Sequence, residues 1–177
     1  MKMKRVLLPF LLVCLGFLLP AASLFKPAEE PLPPLTSDEI SAEALFRRFT
    51  EEEKYTEYPS WPGHQGEQPG QSPHGWLHRV YINPVLSDAL PIEDRRAPEG
   101  SIVVKANLDR DRKVESFTVM AKVRGYHPEA NDWFWAKYTP GGQAGAAGRV
   151  QSCISCHEAV RDNDYIIIYR LDQELPE

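Results

Sequence analysis

Cysteine is scarce in this chain, with only three among 177 residues. Cys14 lies inside an apolar N-terminal run, which leaves Cys153 and Cys156 for the folded part. Two cysteines permit at most one disulfide, and a bridge across two residues would close a very small loop and stabilise little. Another use of this pair is therefore favoured.

The chain also lacks a cluster of Lys and Arg. It holds 20 Lys and Arg against 25 Asp and Glu, a formal charge of −5. Without the three basic residues at its N-terminus, which we expect to be removed, the charge is about −8. An acidic surface argues against nucleic acid as a partner and leaves small neutral or cationic ligands open.

No uninterrupted apolar run is long enough to predict a transmembrane helix, which needs about 20 residues. The longest run, residues 6–19, is broken by Pro9 and Gly16. Three basic residues precede it and small residues follow at positions 20–23, which is the pattern of a Sec-type signal peptide. We therefore expect residues 1–23 to direct export to the periplasm, with an uncleaved membrane anchor as the alternative.

The remaining chain predicts one domain behind a linker. Residues 24–36 contain four prolines and no periodicity, so they are interpreted as an extended Pro-rich linker. Residues 37–177 suit a single core and show no internal repeat.

The pattern of the domain predicts an α+β fold, mainly an antiparallel β-sheet with a few helices. Ser37 is the expected N-cap of a helix over 38–53, and a short helix is expected over 84–90. Residues 139–148, rich in glycine, are expected to be a flexible stretch before the cysteines. The predicted strands are residues 76–83, 101–107, 114–125 and 132–138.

The sequence Cys153-Ile154-Ser155-Cys156-His157 has the form CxxCH. Two cysteines at this spacing can form thioethers with the two haem vinyl groups, and the histidine that follows supplies an imidazole to iron. Export fits this chemistry, because c-type attachment takes place outside the cytoplasm. The motif therefore predicts one covalent haem c, with His157 as the iron ligand.

Three other uses of the cysteines remain as alternatives. A redox-active CxxC is expected at the head of a helix after a βα unit, whereas this pair follows a glycine-rich stretch. A structural zinc site needs further ligands, and no second cysteine pair supplies them. A local disulfide is the third alternative.

Several further motifs, in a fixed order, resemble the cytochrome P-460 family, whose relatives include the β-type cytochromes c′. The resemblance covers about residues 40–170. The motifs are Pro73-His74-Gly75, Val80-Tyr81-Ile82-Asn83, Gly100-Ser101-Ile102-Val103-Val104-Lys105, Tyr126-His127-Pro128, Asp132-Trp133-Phe134-Trp135-Ala136 and the terminal CxxCH.

The resemblance implies a mostly antiparallel β fold with one c-type haem, a proximal histidine and an open distal side, commonly in a homodimer. Members with the P-460 chromophore link a lysine to the haem ring and oxidise hydroxylamine. The β-type cytochromes c′ lack that link and bind nitric oxide or carbon monoxide. A lysine therefore separates an enzyme from a gas-binding protein.

The cross-linking lysine is expected on the strand beginning near Trp76, where this chain has His78 and Arg79. Lys105 is the nearest lysine, but it belongs to the next strand motif, and we interpret it as a surface residue at a strand end. Binding of small diatomic or nitrogenous ligands is therefore favoured. A hydroxylamine-oxidising enzyme with a cross-link, and a simple electron carrier serving a redox partner protein, are the alternatives.

Residues on the distal side of the haem are less sharply predicted. His78 and Arg79 are neighbours on a strand, so only one of them can face the haem. The other candidates for a sixth iron ligand have ordinary interpretations, as surface or turn histidines and a core methionine: His64, His74, His127 and Met120. Trp133 and Trp135 share a strand face and are expected to pack in the core and at the haem edge.

Overall fold

A six-stranded antiparallel sheet dominates residues 32–174, the part of the chain that this computed structural model describes. The strands lie in the sheet in the order in which they occur in the chain. They are β1 (Gln68–Pro69), β2 (Leu77–Ile82), β3 (Ile102–Leu108), β4 (Val114–Lys122), β5 (Trp133–Tyr138) and β6 (Ala144–Gly148). The predicted fold class is confirmed. The expected signal peptide and most of the linker lie outside the described residues.

The helices are short. The α-helices are α1 (Ala42–Arg47), α2 (Pro84–Ser87) and α3 (Gln151–His157). A π-helical segment, Arg48–Glu52, continues α1, and 3-10 turns occupy Tyr55–Glu57, Pro128–Ala130 and Glu158–Asn163. No helix within residues 32–174 is long and apolar enough to cross a membrane.

The N-terminal helix begins later than the sequence predicts. The hydroxyl of Ser41, and not that of Ser37, accepts the N-cap hydrogen bond, from the backbone N–H of Ala44 at 3.0 Å. Upstream, the carboxylate of Glu39 accepts from both the backbone and the hydroxyl of Thr36, at 3.1 and 2.8 Å. That separate turn uses the polar groups that would otherwise begin a longer helix.

The glycine-rich stretch is also more ordered than predicted. Its second half forms β6, which pairs with β5 from Ala144 opposite Tyr138 to Gly148 opposite Trp135. This pairing uses backbone hydrogen bonds only. Because Ala and Gly give no alternation of apolar and polar side chains, the period of two that reveals a strand is missing here.

Each face of the sheet packs a different part of the chain. One face buries Leu45 and Phe49, from α1 and the π-helical segment, against Val104 and Phe117. The other face packs the C-terminal region, which includes α3 and residues 164–171. The sheet thus separates a helix-covered face from a face that carries the cysteine motif.

Candidate haem-binding site

A cavity of about 310 Å³ lies between the C-terminal region and the sheet. Five residues in register, one from each of β2 to β6, form its floor: Val80, Lys105, Thr118, Lys137 and Ala146. Its walls include Val103, Met120, Trp135, Val150, Cys153, Cys156, His157 and residues 166–168. The lining is thus largely apolar, with a few polar groups among it, as ligand sites usually are.

Helix α3 brings the cysteine motif to this cavity. Cys156 and His157 follow Cys153 by three and four positions, so the three side chains share one side of the helix. All three line the cavity. Both thiols are free. Cys153 is half-buried and Cys156 is exposed, and burial raises the pKa of the Cys153 thiol.

The imidazole of His157 is oriented by the backbone. Its Nδ1 lies 2.7 Å from the carbonyl oxygen of Tyr165. A carbonyl can only accept, so Nδ1 carries the proton and Nε2 keeps its lone pair. Burial lowers the pKa of His157, which favours the neutral ring. Trp135 packs edge-on against this ring, with centroids 4.8 Å apart.

The carbonyl of Tyr165 is held in place by the residue before it. The carboxylate of Asp164 is fully buried and accepts from Nζ of Lys122 at 2.7 Å and from the side-chain amide of Asn131 at 2.8 Å. The carbonyl oxygen of Asp164 accepts from the indole of Trp133 at 2.8 Å. These hydrogen bonds hold Asp164 in place, and with it the adjacent carbonyl of Tyr165 that binds His157.

His74 is part of the site, although the sequence predicts a surface or turn residue. It lines the cavity, and its Nδ1 lies 3.0 Å from Oγ1 of Thr118. Its ring centroid is 6.4 Å from that of His157. Burial, with Lys105 nearby, lowers the pKa of His74 to about 3. The one sequence signal for it was its place in the Pro73-His74-Gly75 motif.

Lys105 also differs from its interpretation as a surface residue at a strand end. It lies in the middle of β3, and its side chain forms part of the cavity floor. Burial lowers the pKa of its ammonium group. The strand is buried on both faces, which hides the alternation that would have assigned Lys105 to the interior.

The two other distal candidates are separated by the strand pleat. His78 shares a strand face with Val80, but it does not line the cavity. Burial, with Lys105 nearby, lowers the pKa of His78 to about 4. Arg79 points to the opposite face, where it pairs with Glu67.

The remaining residues that the sequence offers as candidates differ in whether they line the cavity. Met120 is buried and lines the cavity, so it is a wall residue and not only a core thioether. His64 and His127 do not line it. Trp133 and Trp135 share the cavity side of β5, as their alternation predicts.

Comparison with models of known protein families gives a match to Cytochrome P460 over residues 55–168. The chain belongs to the cytochrome P460 family. The match extends from the 3-10 turn at Tyr55–Glu57 across the sheet to the cavity wall, and it includes α3. A search of curated proteins found no match.

Membership of the cytochrome P460 family makes this chain a haem-binding cytochrome. The residues around the cavity fit that cofactor. Two free thiols and a neutral imidazole, with Nε2 unengaged by any described residue, lie at one side of a largely apolar cavity. Thiols and an imidazole are donors that a haem group can use, so the lining of the cavity is compatible with the cofactor of the family.

Proposed function

We propose that this protein is an exported cytochrome that holds one haem c through thioethers to Cys153 and Cys156. His157 binds the iron through Nε2. With haem bound, the same cavity would admit a small diatomic or nitrogenous ligand to the iron, such as nitric oxide or carbon monoxide. Electrons pass to or from a redox partner protein, and nucleic acid is not a partner.

The hydrogen bond between His157 and Tyr165 carries this proposal. An imidazole whose Nδ1 donates to a fixed carbonyl presents Nε2 as a ligand in one orientation. The 2.7 Å bond in this chain has that form, on the helix that also carries both thiols. A redox couple or a disulfide at the CxxC pair would not require this hydrogen bond between His157 and Tyr165.

The haem iron supplies ligand binding and one-electron chemistry when the cofactor is bound. The side chains that line the cavity determine its polarity and its charge. Val80, Val103 and Trp135 exclude water, which strengthens polar interactions within the site. Lys105 and Lys137 give the floor positive charge, and neither forms an ion pair within residues 32–174. That charge favours haem propionates or an anionic ligand.

Export to the periplasm is supported by the signal-peptide pattern of residues 1–23. The N-terminal sequence of the protein recovered from periplasm would then begin close after Ser23. A chain that still begins at Met1 in the membrane fraction would show an uncleaved anchor instead. A homodimer, which the family resemblance implies, is tested by sedimentation of the same material.

Addition of carbon monoxide to the reduced protein tests the ligand-binding function. We expect a saturable change of the Soret band, with nitric oxide giving a similar response. A sharp low-spin α band unchanged at saturating carbon monoxide would contradict the proposal and favour the simple electron carrier. Denatured protein, in which both axial positions are exposed, is the positive control for haem reactivity.

The second candidate is a hydroxylamine-oxidising enzyme with a lysine–haem cross-link, and the position of Lys105 in the cavity floor favours it. Burial lowers the pKa of this lysine, so a larger fraction of the amine is uncharged and nucleophilic. A cross-link would give a strongly red-shifted ferrous Soret band and a haem peptide containing Lys105. Lys105→Arg would remove both, whereas Lys137→Arg, on the same row, would not.

A further inference from the structure

We infer that His74 is the second axial ligand of the haem iron in the resting protein. The inference rests on the proposed attachment of haem at Cys153, Cys156 and His157. His74 and His157 are the two histidines of residues 32–174 that line the cavity. They come from two separate parts of the chain, since His74 lies in the loop before β2 and His157 lies on α3.

The separation of the two rings matches a shared metal. Imidazole nitrogens bind metals at roughly 2 Å, so two imidazoles on opposite sides of one ion would have centroids roughly 6 Å apart. The centroids of His74 and His157 are 6.4 Å apart, with planes inclined at 76°. Edge-on ring packing in this chain also reaches 6.4 Å, between Trp135 and Tyr165, so the assignment needs the hydrogen bonding of the two imidazoles as well.

Both rings are also hydrogen-bonded in the manner of metal ligands. Each engages its Nδ1, His157 with the carbonyl of Tyr165 and His74 with the hydroxyl of Thr118. The Nε2 atoms of both rings have no hydrogen-bond partner among the described residues. A hydrogen bond at Nδ1 that fixes the ring and leaves Nε2 for the metal is the usual arrangement of ligating histidines.

The loop that carries His74 is held in place by hydrogen bonds and by close backbone packing. The backbone N–H of His74 donates to the carbonyl of Gln71 at 2.7 Å. Nζ of Lys137 donates to the carbonyl of Pro73 at 3.3 Å. Gly75 has a φ of +71°, and a Cβ there would lie 3.0 Å from the carbonyl oxygen of Leu108. The loop therefore places His74 against the sheet through backbone contacts.

An incoming ligand must then replace His74. With haem bound, Nε2 of His74 would leave the iron as the ligand took its place, an exchange in which no electron is transferred. Because the binding-competent form is only part of the population, His74 lowers the apparent affinity for every exogenous ligand by the same factor. The relative affinities of different ligands would not change, but weak ligands such as water would no longer bind to a measurable extent.

The test begins with the spectra of the intact haem protein without added ligand. We expect a six-coordinate low-spin iron in both oxidation states. The near-infrared magnetic circular dichroism of the ferric protein should have the charge-transfer band of two imidazole ligands, which distinguishes His74 from Lys105 or Met120. A five-coordinate high-spin spectrum, or the band of a His–Lys or His–Met pair, would overturn the inference.

Variants provide the second part of the test. His74→Ala should become high-spin and bind carbon monoxide about tenfold or more faster, because the competing ligand is gone. His64→Ala, a histidine outside the cavity, should behave as the wild type. Thr118→Val should increase the high-spin fraction, and Thr118→Ser, which keeps the hydroxyl, should not. An unchanged spectrum in His74→Ala would contradict the inference.

Failure of this inference can be told apart from failure of the proposed function. If haem is covalently bound and carbon monoxide binds rapidly to a five-coordinate wild type, the function holds and the role of His74 is wrong. If covalent haem is absent, the proposed function itself has failed. The wild-type spectrum decides between these cases even if His74→Ala does not fold.

Discussion

The carbonyl oxygen of Tyr165 accepts a 2.7 Å hydrogen bond from Nδ1 of His157. This contact assigns the proton to Nδ1 and presents Nε2 to the cavity. The carbonyl is in turn fixed by its neighbour, Asp164, whose buried carboxylate is the centre of a hydrogen-bond cluster. The orientation of the His157 imidazole therefore depends on a carboxylate that does not line the cavity.

Loss of the Asp164 charge should destabilise the protein. Asp164→Asn leaves the ammonium group of Lys122 partly buried without its carboxylate, which costs about 3 kcal/mol when a buried pair is broken. Urea unfolding monitored by circular dichroism measures this. In Lys122→Met/Asp164→Asn the loss should be smaller than the sum of the two single losses, because the groups interact. Additive losses would show that the pair is not coupled.

The glycine beside His74 should be more sensitive to substitution than a matched glycine elsewhere. Gly66 and Gly75 both have positive φ, at +78° and +71°, so alanine costs about 1 kcal/mol at either position. Only at Gly75 would the new Cβ meet other atoms, including the Leu108 carbonyl oxygen at 3.0 Å. Gly75→Ala should therefore lose about 1–3 kcal/mol more than Gly66→Ala.

Urea unfolding of the two variants under identical conditions makes this comparison. Gly75→Ala should also perturb the environment of His74, so its visible spectrum should differ from that of the wild type. Equal losses in the two variants, with unchanged spectra, would contradict the close packing of the loop against β3.

The strands were predictable because their side chains alternate or are continuously apolar. The edge strand β6 was not, since its Ala and Gly residues pair through the backbone alone. The N-terminal helix was misplaced because Ser37 and Ser41 are both good N-caps, and a turn at Thr36 decides between them. When two residues are equally good N-caps, contacts with neighbouring residues decide where the helix begins.

The candidate site also contains residues that the sequence predicts and residues that it does not. The CxxCH motif predicts Cys153, Cys156 and His157 as haem-binding residues because thioether chemistry requires that spacing, and all three line the cavity. His74 and Lys105 reach the same cavity from a loop and a strand remote in sequence. Their roles depend on sheet register and on the packing of a loop, neither of which a single sequence specifies.

Acid should destabilise the protein in part through His78. Its ordinary pKa is 6.5 and burial lowers it to about 4, so the unfolded chain binds the proton first as the pH falls. The contribution of His78 to stability is therefore complete above pH 6.5 and is lost progressively down to about pH 4. The lost free energy is of the order of 1–3 kcal/mol.

Unfolding by urea at several pH values within this window measures the effect. The free energy of unfolding of His78→Phe, which cannot take up a proton, should fall less steeply with acid than that of the wild type. Identical slopes would show that His78 is protonated equally in the folded and unfolded chains.

The mass of the intact, denatured protein tests the central claim most directly. We expect the mature chain plus one haem, with the haem retained through denaturation because both thioethers are covalent. In Cys153→Ala/Cys156→Ala the haem should be absent or extractable by acid. A wild-type mass equal to that of the polypeptide alone, or haem still covalently bound in the double variant, would contradict the assignment of Cys153 and Cys156 as the attachment site.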